Sequence, residues 1–281
     1  MYEPRALRNL TAQRLKRTAS RYSMQMIFRK IPKVSLQSDS QKIYSGTQEL
    51  LDGEEGLAGY NLDVVRKLAA GLGMGTNHVG GGSSRVVEFG AGTGALAEVW
   101  RSEFGMDPIC IEIDPELIKI LKAKGFITSE STRDLSSEIS LIYTSNVLEH
   151  IEDDVNALIK IRERMQQGGK IAIYVPALPM LFSDLDRNVG HFRRYEKKEL
   201  VHKVKMAGFE IEKCFYNDCL GVLASLSLRL LGYKSRTGLG SKKSLLIYDK
   251  FIYPVSMILD KLVFKHVIGK NLLLFAFNPK K

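Results

Sequence analysis

This 281-residue sequence has three cysteines, eight prolines, one tryptophan and five histidines, and each scarcity excludes something. Cys110, Cys214 and Cys219 show no metal-ligand or redox spacing. A zinc ribbon and a disulfide framework are therefore excluded, and the usage fits a reducing, cytoplasmic compartment. No apolar run approaches the ~18 residues needed to cross a bilayer. The start, MYEPRALRNL, lacks the apolar core of a signal peptide. It is Arg-rich and nearly acid-free to Lys33, which also fits an organelle transit peptide. The apolar fraction, 44%, is that of a globular chain with a sizeable core.

Acidic residues are scarce at both ends. Residues 1–33 hold nine Lys or Arg and one acid, Glu3. Residues 34–227 sum to −7, and residues 228–281 carry eleven Lys or Arg against Asp249 and Asp260. Two basic ends flank an acidic middle. Such ends suit an anionic membrane surface or a polyanion, and they equally suit solvated tails.

What is present is organised around Val86 to Ala97, VVEFGAGTGALA. A short apolar strand signal leads through Glu88 to Gly90, Ala91, Gly92 and Gly94, and a helical pattern begins at Ala95. Strand, glycine turn and helix form a nucleotide-binding crossover, in which the backbone can approach a ligand and the helix N-terminus offers unpaired N–H groups. Gly90, Gly92 and Ala95 satisfy the relaxed dinucleotide fingerprint. The same stretch resembles motif I of the class I methyltransferases, E/D-x-G-x-G-x-G, which use S-adenosylmethionine (SAM). That resemblance places Glu88 near the SAM amino group.

A second unit follows, Pro108 to Leu121, PICIEIDPELIKIL. Ile109, Ile111 and Ile113 alternate as a strand. Glu112, 22 positions after Gly90, has the offset of a carboxylate that accepts both ribose hydroxyls of an adenosine. Asp114-Pro115 reads as a helix N-cap with Pro at the first turn. NAD and SAM both carry this ribose.

Leu141 to Asp154, LIYTSNVLEHIEDD, separates the two cofactors. An apolar strand ends at Ser145-Asn146, and Val147-Leu148-Glu149-His150 resembles the fourth-strand motif of SAM methyltransferases. Three motifs in order identify the chain as a member of that family over about residues 60–217, with a last strand near residues 271–277. The resemblance implies an α/β fold: a Rossmann-like, seven-stranded, mostly parallel sheet with helices on both faces and the last strand antiparallel. It implies SAM as cofactor, held by Asn61, Glu88, Gly90, Ala91, Gly92, Gly94, Glu112, Ile113, Asn146 and Val147. Asn61 also reads as a plain N-cap for the helix whose face is Leu62, Val65, Leu68, Ala69 and Leu72. Glu130 and Asp134 are candidates for the adenine site after a short third strand at residues 126–128.

Further along, Asp153 or Asp154 caps a helix that Gly168-Gly169 ends, and a buried strand runs from Lys170 to Val175. Lys198 to Ala207 is helical and Phe209 to Phe215 is a sixth strand. About fifty residues, 218–268, then intervene before the last strand, where a hairpin would suffice. Leu220–Leu231 and Leu245–Phe264 within them are apolar. Asp249 and Asp260 are three helical turns apart, and Lys250 and Lys261 repeat the spacing. This predicts a helix, or two meeting at Pro254, with a narrow charged stripe and a broad apolar face. Such a helix can pack on the domain, line an apolar pocket or lie in a membrane interface. The organisation expected is a basic arm over 1–45 and a catalytic domain over 46–281.

For the chemistry, His191 in GHFRRY is the candidate base, with Glu149 and His150 beside it. Related methyltransferases place a divalent metal on E-x-x-E-H plus a later histidine. Here Asn146 replaces the first acid, which weakens that analogy, so no metal is assigned. Arg193, Arg194 and Tyr195 are candidates to bind an anionic group on the substrate, or the arginines pair with Asp184 or Asp186. The run VPALPMLFSDLDRNVGHFRRY resembles methyltransferases that act near lipid-linked sugars. The expected acceptor is a small molecule or a lipid-linked one, methylated at oxygen, with a peripheral membrane contact as an additional partner. A NAD-dependent oxidoreductase and a nucleic-acid methyltransferase are the alternatives. The second lacks an N-P-P-Y or D-P-P-Y motif after the fourth strand and an aromatic-studded basic stretch.

Overall fold

The computed structural model describes residue 54 and residues 56–74, 86–135, 138–230 and 242–280, with the backbone alone at 228–230. The expected arm over 1–45, most of the glycine-rich loop before residue 86 and the segment 231–241 lie outside the described residues.

Strand–helix alternation produces the expected sheet. The elements are α1 (Ala58–Gly71), β1 (Val86–Phe89), α2 (Ala95–Phe104), β2 (Ile109–Ile111), α3 (Pro115–Ala123), β3 (Thr128–Ser129) and β4 (Ile139–Ser145). They continue as α4 (Asp154–Glu163), β5 (Met165–Pro176), α5 (Asp184–Asn188), α6 (Lys197–Met206) and β6 (Glu210–Asn217). The insert follows as α7 (Cys219–Leu230), α8 (Lys242–Ile247), a π-helical turn (Tyr248–Ile252) and α9 (Tyr253–Leu262), before β7 (Asn271–Phe277). The sheet order is β3-β2-β1-β4-β5-β7-β6, with β7 antiparallel to both neighbours. All other pairs are parallel. The order reverses beside β1, so the carboxyl ends of β1 and β4 open a crevice there.

Period-2 patterning divides the core between the two faces. Ile142, Ile171, Ile173, Leu272 and Leu274 pack on one side against Leu158, Leu200 and Val204. Tyr143, Ala172, Tyr174, Leu273 and Phe275 pack on the other against Val65, Leu68 and Trp100. At Gly71 a Cβ would lie 1.8 Å from the Phe275 ring, so only glycine lets α1 end this close to the sheet.

Two expectations are corrected. Asn61 is not the cap of α1: the helix starts at Ala58, and the Asn61 N–H donates to Leu57 O at 2.9 Å within the first turn. Gly168-Gly169 do not end α4, which stops at Glu163. They lie inside β5, where the register with β4 shifts between the Ile139 and Leu141 pairings, so the glycines serve a bulge. Of the two cap candidates for α4, Asp153 serves, accepting from Asn156 N at 3.1 Å as expected.

Within the insert's charged stripe the two acids face inward, while Lys250 and Lys261 are exposed. Asp249 accepts from Gly59 N at 2.9 Å and Tyr60 N at 2.7 Å, two of the orphan donors in the first turn of α1. Asp260 accepts from Asp218 N at 2.6 Å and Cys219 N at 3.1 Å at the start of α7. Ser256 Oγ accepts from Leu220 N at 3.0 Å. Asp249 thus fastens the insert to α1, while Asp260 and Ser256 tie α9 to the start of α7. Pro254 sits in the first turn of α9, as the break at that position predicts.

Candidate functional site

The glycine turn is shaped by left-handed backbone at Gly90, Gly92 and Gly94, with φ of 76°, 56° and 84°. Gly94 is the N-cap of α2. A Cβ at Gly90 would stand 2.3 Å from Val147 Cγ2, so the turn and the end of β4 touch here. Gly92 N donates to Glu112 Oε2 at 2.8 Å, while Ile113 N and Asp114 N donate to its Oε1 at 2.8 and 3.0 Å. Three backbone donors fix this carboxylate at the crevice wall. Asp114 caps α3, as expected, accepting from Glu116 N at 2.8 Å.

Glu88 differs. It is 3% exposed, and its Oε2 has no hydrogen-bond partner among the described residues. Burial pushes its carboxyl up to about 8, against the opposing effect of the neighbouring Tyr143 hydroxyl, and the nearby Glu112 adds to the rise. A buried carboxyl with one oxygen unmatched, on a ligand-sized crevice, fits a cationic group such as the SAM ammonium.

The second half of the site is built by the ends of β4 and β5. Asn146, which follows β4, has φ 53°, and Leu178, after β5, has φ 63°. A left-handed leucine is a strained arrangement of the kind found where a loop is held for function. The 3₁₀ turn Leu148–His150 and the loop over 183–195 are joined by Phe192 N donating to Glu149 O at 2.8 Å. Ser183 and Asp186 form a capping box for α5. Asp186 also accepts from Arg194 Nε at 2.8 Å and Nη2 at 3.1 Å, and it bonds His191 Nδ1 at 2.8 Å. Against the penalty of burial, His191 and Arg194 hold this carboxyl well below the usual range.

His191 is thereby fixed as the Nδ1–H tautomer, with Nε2 as its basic nitrogen. Nε2 lies 3.9 Å from Glu149 Oε1, and the His150 and His191 rings meet edge to face at 4.5 Å. Ligand atoms of Glu149, His150 and His191 all lie within 4.8 Å of one another, close enough to hold a metal ion. Burial is the main reason that the His150 value falls to about 4, so this imidazole is neutral at pH 7.

The expected substrate clamp is corrected. Arg193 donates to Asp154 Oδ2 and to Glu152 O, both at 2.8 Å, and does not line the cavity. Tyr195 is fully buried and donates to the same Asp154 oxygen at 2.8 Å. Lys203 joins them at 2.7 Å. Asp154 is therefore a buried anchor that gathers three donors. Arg194 gives Nε and Nη2 to Asp186, the pairing weighed for it, while it lines the cavity and its buried Nη1 has no hydrogen-bond partner among the described residues.

The crevice is a cavity of about 1640 Å³. Asn61, Glu88, Gly90, Ala91, Gly92, Glu112, Ile113, Asn146, Val147, His150 and His191 line it. Gly94 and Glu149 stand just behind the wall. Glu130 also lines it, while Asp134 does not. Its far end is supplied by residues that spacing alone did not mark: Leu181 and Phe182 after β5, and Leu245, Tyr248 and Ile252 from the insert. The S-x-x-D pattern at Ser183 was the one readable sign of the Asp186 anchor.

A family model for a methyltransferase domain matches residues 53–213. Among solved structures, the chain is similar to a SAM-dependent methyltransferase from Archaeoglobus fulgidus, at 16% identity and TM-score 0.50, covering 81% of this chain and 98% of that one. It is also similar to a Thermotoga maritima SAM-dependent methyltransferase described as a possible histamine N-methyltransferase, at 13% identity and TM-score 0.51, covering 83% and 98%. At these identities the likeness concerns the fold. No curated protein matches the chain.

Proposed function

Because the chain belongs to the class I SAM-dependent methyltransferase family, we propose that it methylates an oxygen of a bulky, largely apolar acceptor, a small molecule or a lipid-like one. Family membership removes the oxidoreductase alternative. The observation that carries the acceptor reading is the size and lining of the cavity. About 1640 Å³ exceeds the ~300–1,000 Å³ that holds one drug-sized ligand. Beyond the residues suited to the cofactor, its walls include Leu181, Phe182, Leu245 and Ile252.

Glu88 would hold the cofactor ammonium and Glu112 the ribose hydroxyls, with the glycine turn giving close backbone approach. Asn61, Ala91, Ile113, Asn146 and Val147 would surround it, and Gly94 would keep the turn in shape. When bound, SAM supplies a methyl group already activated by its sulfonium. The chain must orient the acceptor, exclude water and take a proton. His191 Nε2 is the proposed acceptor of that proton, with Asp186 as its positioning residue. His150 lines the cavity beside His191, and Glu149 lies close to both imidazoles.

Incubation with methyl-labelled SAM and a lipid extract tests this. Label should move into the organic phase. His191→Ala should lower turnover about 10²–10⁴-fold and leave S-adenosylhomocysteine affinity unchanged. Label recovered only in nucleic acid would overturn the acceptor class, and full activity of the variant would remove His191 from the mechanism. The clustering of Glu149, His150 and His191 donor atoms supports a second reading, in which a divalent cation binds there and orients the acceptor oxygen. Loss of activity on chelation, with bound metal measured by mass spectrometry before and after, distinguishes it from the metal-free base.

A further inference from the structure

We propose that the outward face of α9 and the turn before it dock this protein onto an anionic lipid bilayer. The proposal rests on the insert's surface and holds whatever the acceptor is.

The insert is turned inside out relative to a soluble helix. A surface helix buries its apolar stripe and exposes its charges. In α9 the buried positions are Tyr253, Ser256 and Asp260, all bearing polar groups, Tyr253 bonded to Asp63 of α1 and the other two to the start of α7. The opposite face carries Phe251, Val255, Ile258 and Leu262, at spacings of four, three and four. Phe251, Ile258 and Leu262 are 62%, 61% and 70% exposed. Of the sixteen exposed large hydrophobic residues among the described residues, ten fall within residues 246–267. That concentration in one short segment is a patch, not the ordinary scatter of single apolar residues on a surface.

Charge selects the occupant. The two acids of residues 228–281, Asp249 and Asp260, accept from backbone N–H groups of α1 and α7. Lys250 and Lys261 are exposed beside the apolar face, and Lys265 follows in the next turn. An apolar face rimmed by lysine, with its acids turned away, is the composition of an interfacial helix that inserts side chains between lipids and meets anionic headgroups. The same helical segment supplies the cavity: Tyr248 and Ile252 line it. Docking by this face would therefore bring the acceptor end of the site to the bilayer. Among the described residues no helix is long and apolar enough to cross a membrane, which agrees with a helix lying in the interface.

Vesicle flotation of the full chain tests the proposal, using phosphatidylcholine vesicles with and without 30 mol% phosphatidylglycerol (a roughly physiological anionic fraction). The protein should float with the anionic vesicles at least ~10-fold more than with the neutral ones, and salt should weaken it. Phe251→Asp with Ile258→Asp should abolish flotation while S-adenosylhomocysteine affinity, which reports the fold, stays unchanged. Lys250→Glu with Lys261→Glu, a charge reversal at two exposed positions, should reduce flotation and flatten its salt dependence. Failure of the wild-type chain to float would overturn the proposal. So would wild-type flotation of both double variants, which would assign binding to the basic arm. A dimer that the aspartate variant splits, with no flotation, would assign the face to a second copy of the chain.

Discussion

The glycine turn and the elements packed around the cavity use acids in opposite ways. At the glycine turn, Glu88 is buried with an oxygen that no described group satisfies, and its proton affinity is raised. In the elements packed around the cavity, Asp154, Asp186 and Asp260 are as deeply buried, yet each gathers two or more donors from the protein. An unmatched buried carboxylate is costly to the fold and is retained where a ligand completes it. A matched one holds backbone and loops in place. The contrast separates ligand chemistry from architecture and can be broken residue by residue.

The largest effect is expected at the turn. Gly90→Val introduces a Cβ where Val147 already stands at 2.3 Å, at a φ of 76° that valine rarely adopts. S-adenosylhomocysteine affinity should fall more than ~100-fold, which corresponds to roughly 3 kcal/mol, in calorimetric titration. Retained affinity would mean that the turn does not carry the cofactor. Next is Asp260→Ala, which leaves the Asp218 and Cys219 N–H groups without their acceptor. It should cost about 2–4 kcal/mol of stability in chemical denaturation, with little change in ligand affinity for the folded fraction. A loss of affinity without a loss of stability would contradict the architectural role.

Glu88→Gln should do the reverse of Asp260→Ala. The folded carboxyl titrates near 8 against 4.5 unperturbed, so the ligand-free fold holds an extra proton between these values. Its stability therefore falls as pH rises from about 4.5 to 8. Glutamine removes that slope, and the ligand-free variant should melt higher than the native chain at pH 9. Binding a cation requires the ionised form, so native affinity for S-adenosylhomocysteine should weaken about tenfold per pH unit below 8. The variant should bind more weakly at pH 8 and lose this slope. A pH-independent native affinity would remove Glu88 from ammonium recognition.

Much of the cofactor end was legible because spacing there reports backbone geometry directly. Three glycines at alternate positions, Glu112 at its offset and the N-V-L-E-H run each correspond to one local turn. The sheet followed from alternation for the same reason. The acceptor end was not legible to that degree. Asp249 and Asp260 have the spacing of a solvent-facing stripe, and only the distant N–H groups of α1 and α7 turn the two acids inward. The Gly168-Gly169 pair reads as a helix stop, and only pairing with β4 makes it a bulge. Arg193 and Arg194 read as an anion clamp because sequence shows the cations but not the acids folded against them.

The smallest expected effect is at Arg193, and it tests that last lesson. Its guanidinium reaches Asp154 and Glu152 O, but Asp154 retains Lys203 and Tyr195 at 2.7 and 2.8 Å. Burial opposes ionisation of Asp154, and the hydrogen bonds from Lys203, Tyr195 and Arg193 more than offset it, so the carboxyl stays below its usual value. Removing one donor of three from a partly exposed position should cost about 1 kcal/mol or less, read as a small drop in the denaturation midpoint. Acceptor KM should not move, because the side chain does not line the cavity. A KM rise of tenfold or more, with stability unchanged, would mean that Arg193 leaves Asp154 to bind an anionic group on the acceptor. It would then belong with Glu88, among the groups that a ligand completes.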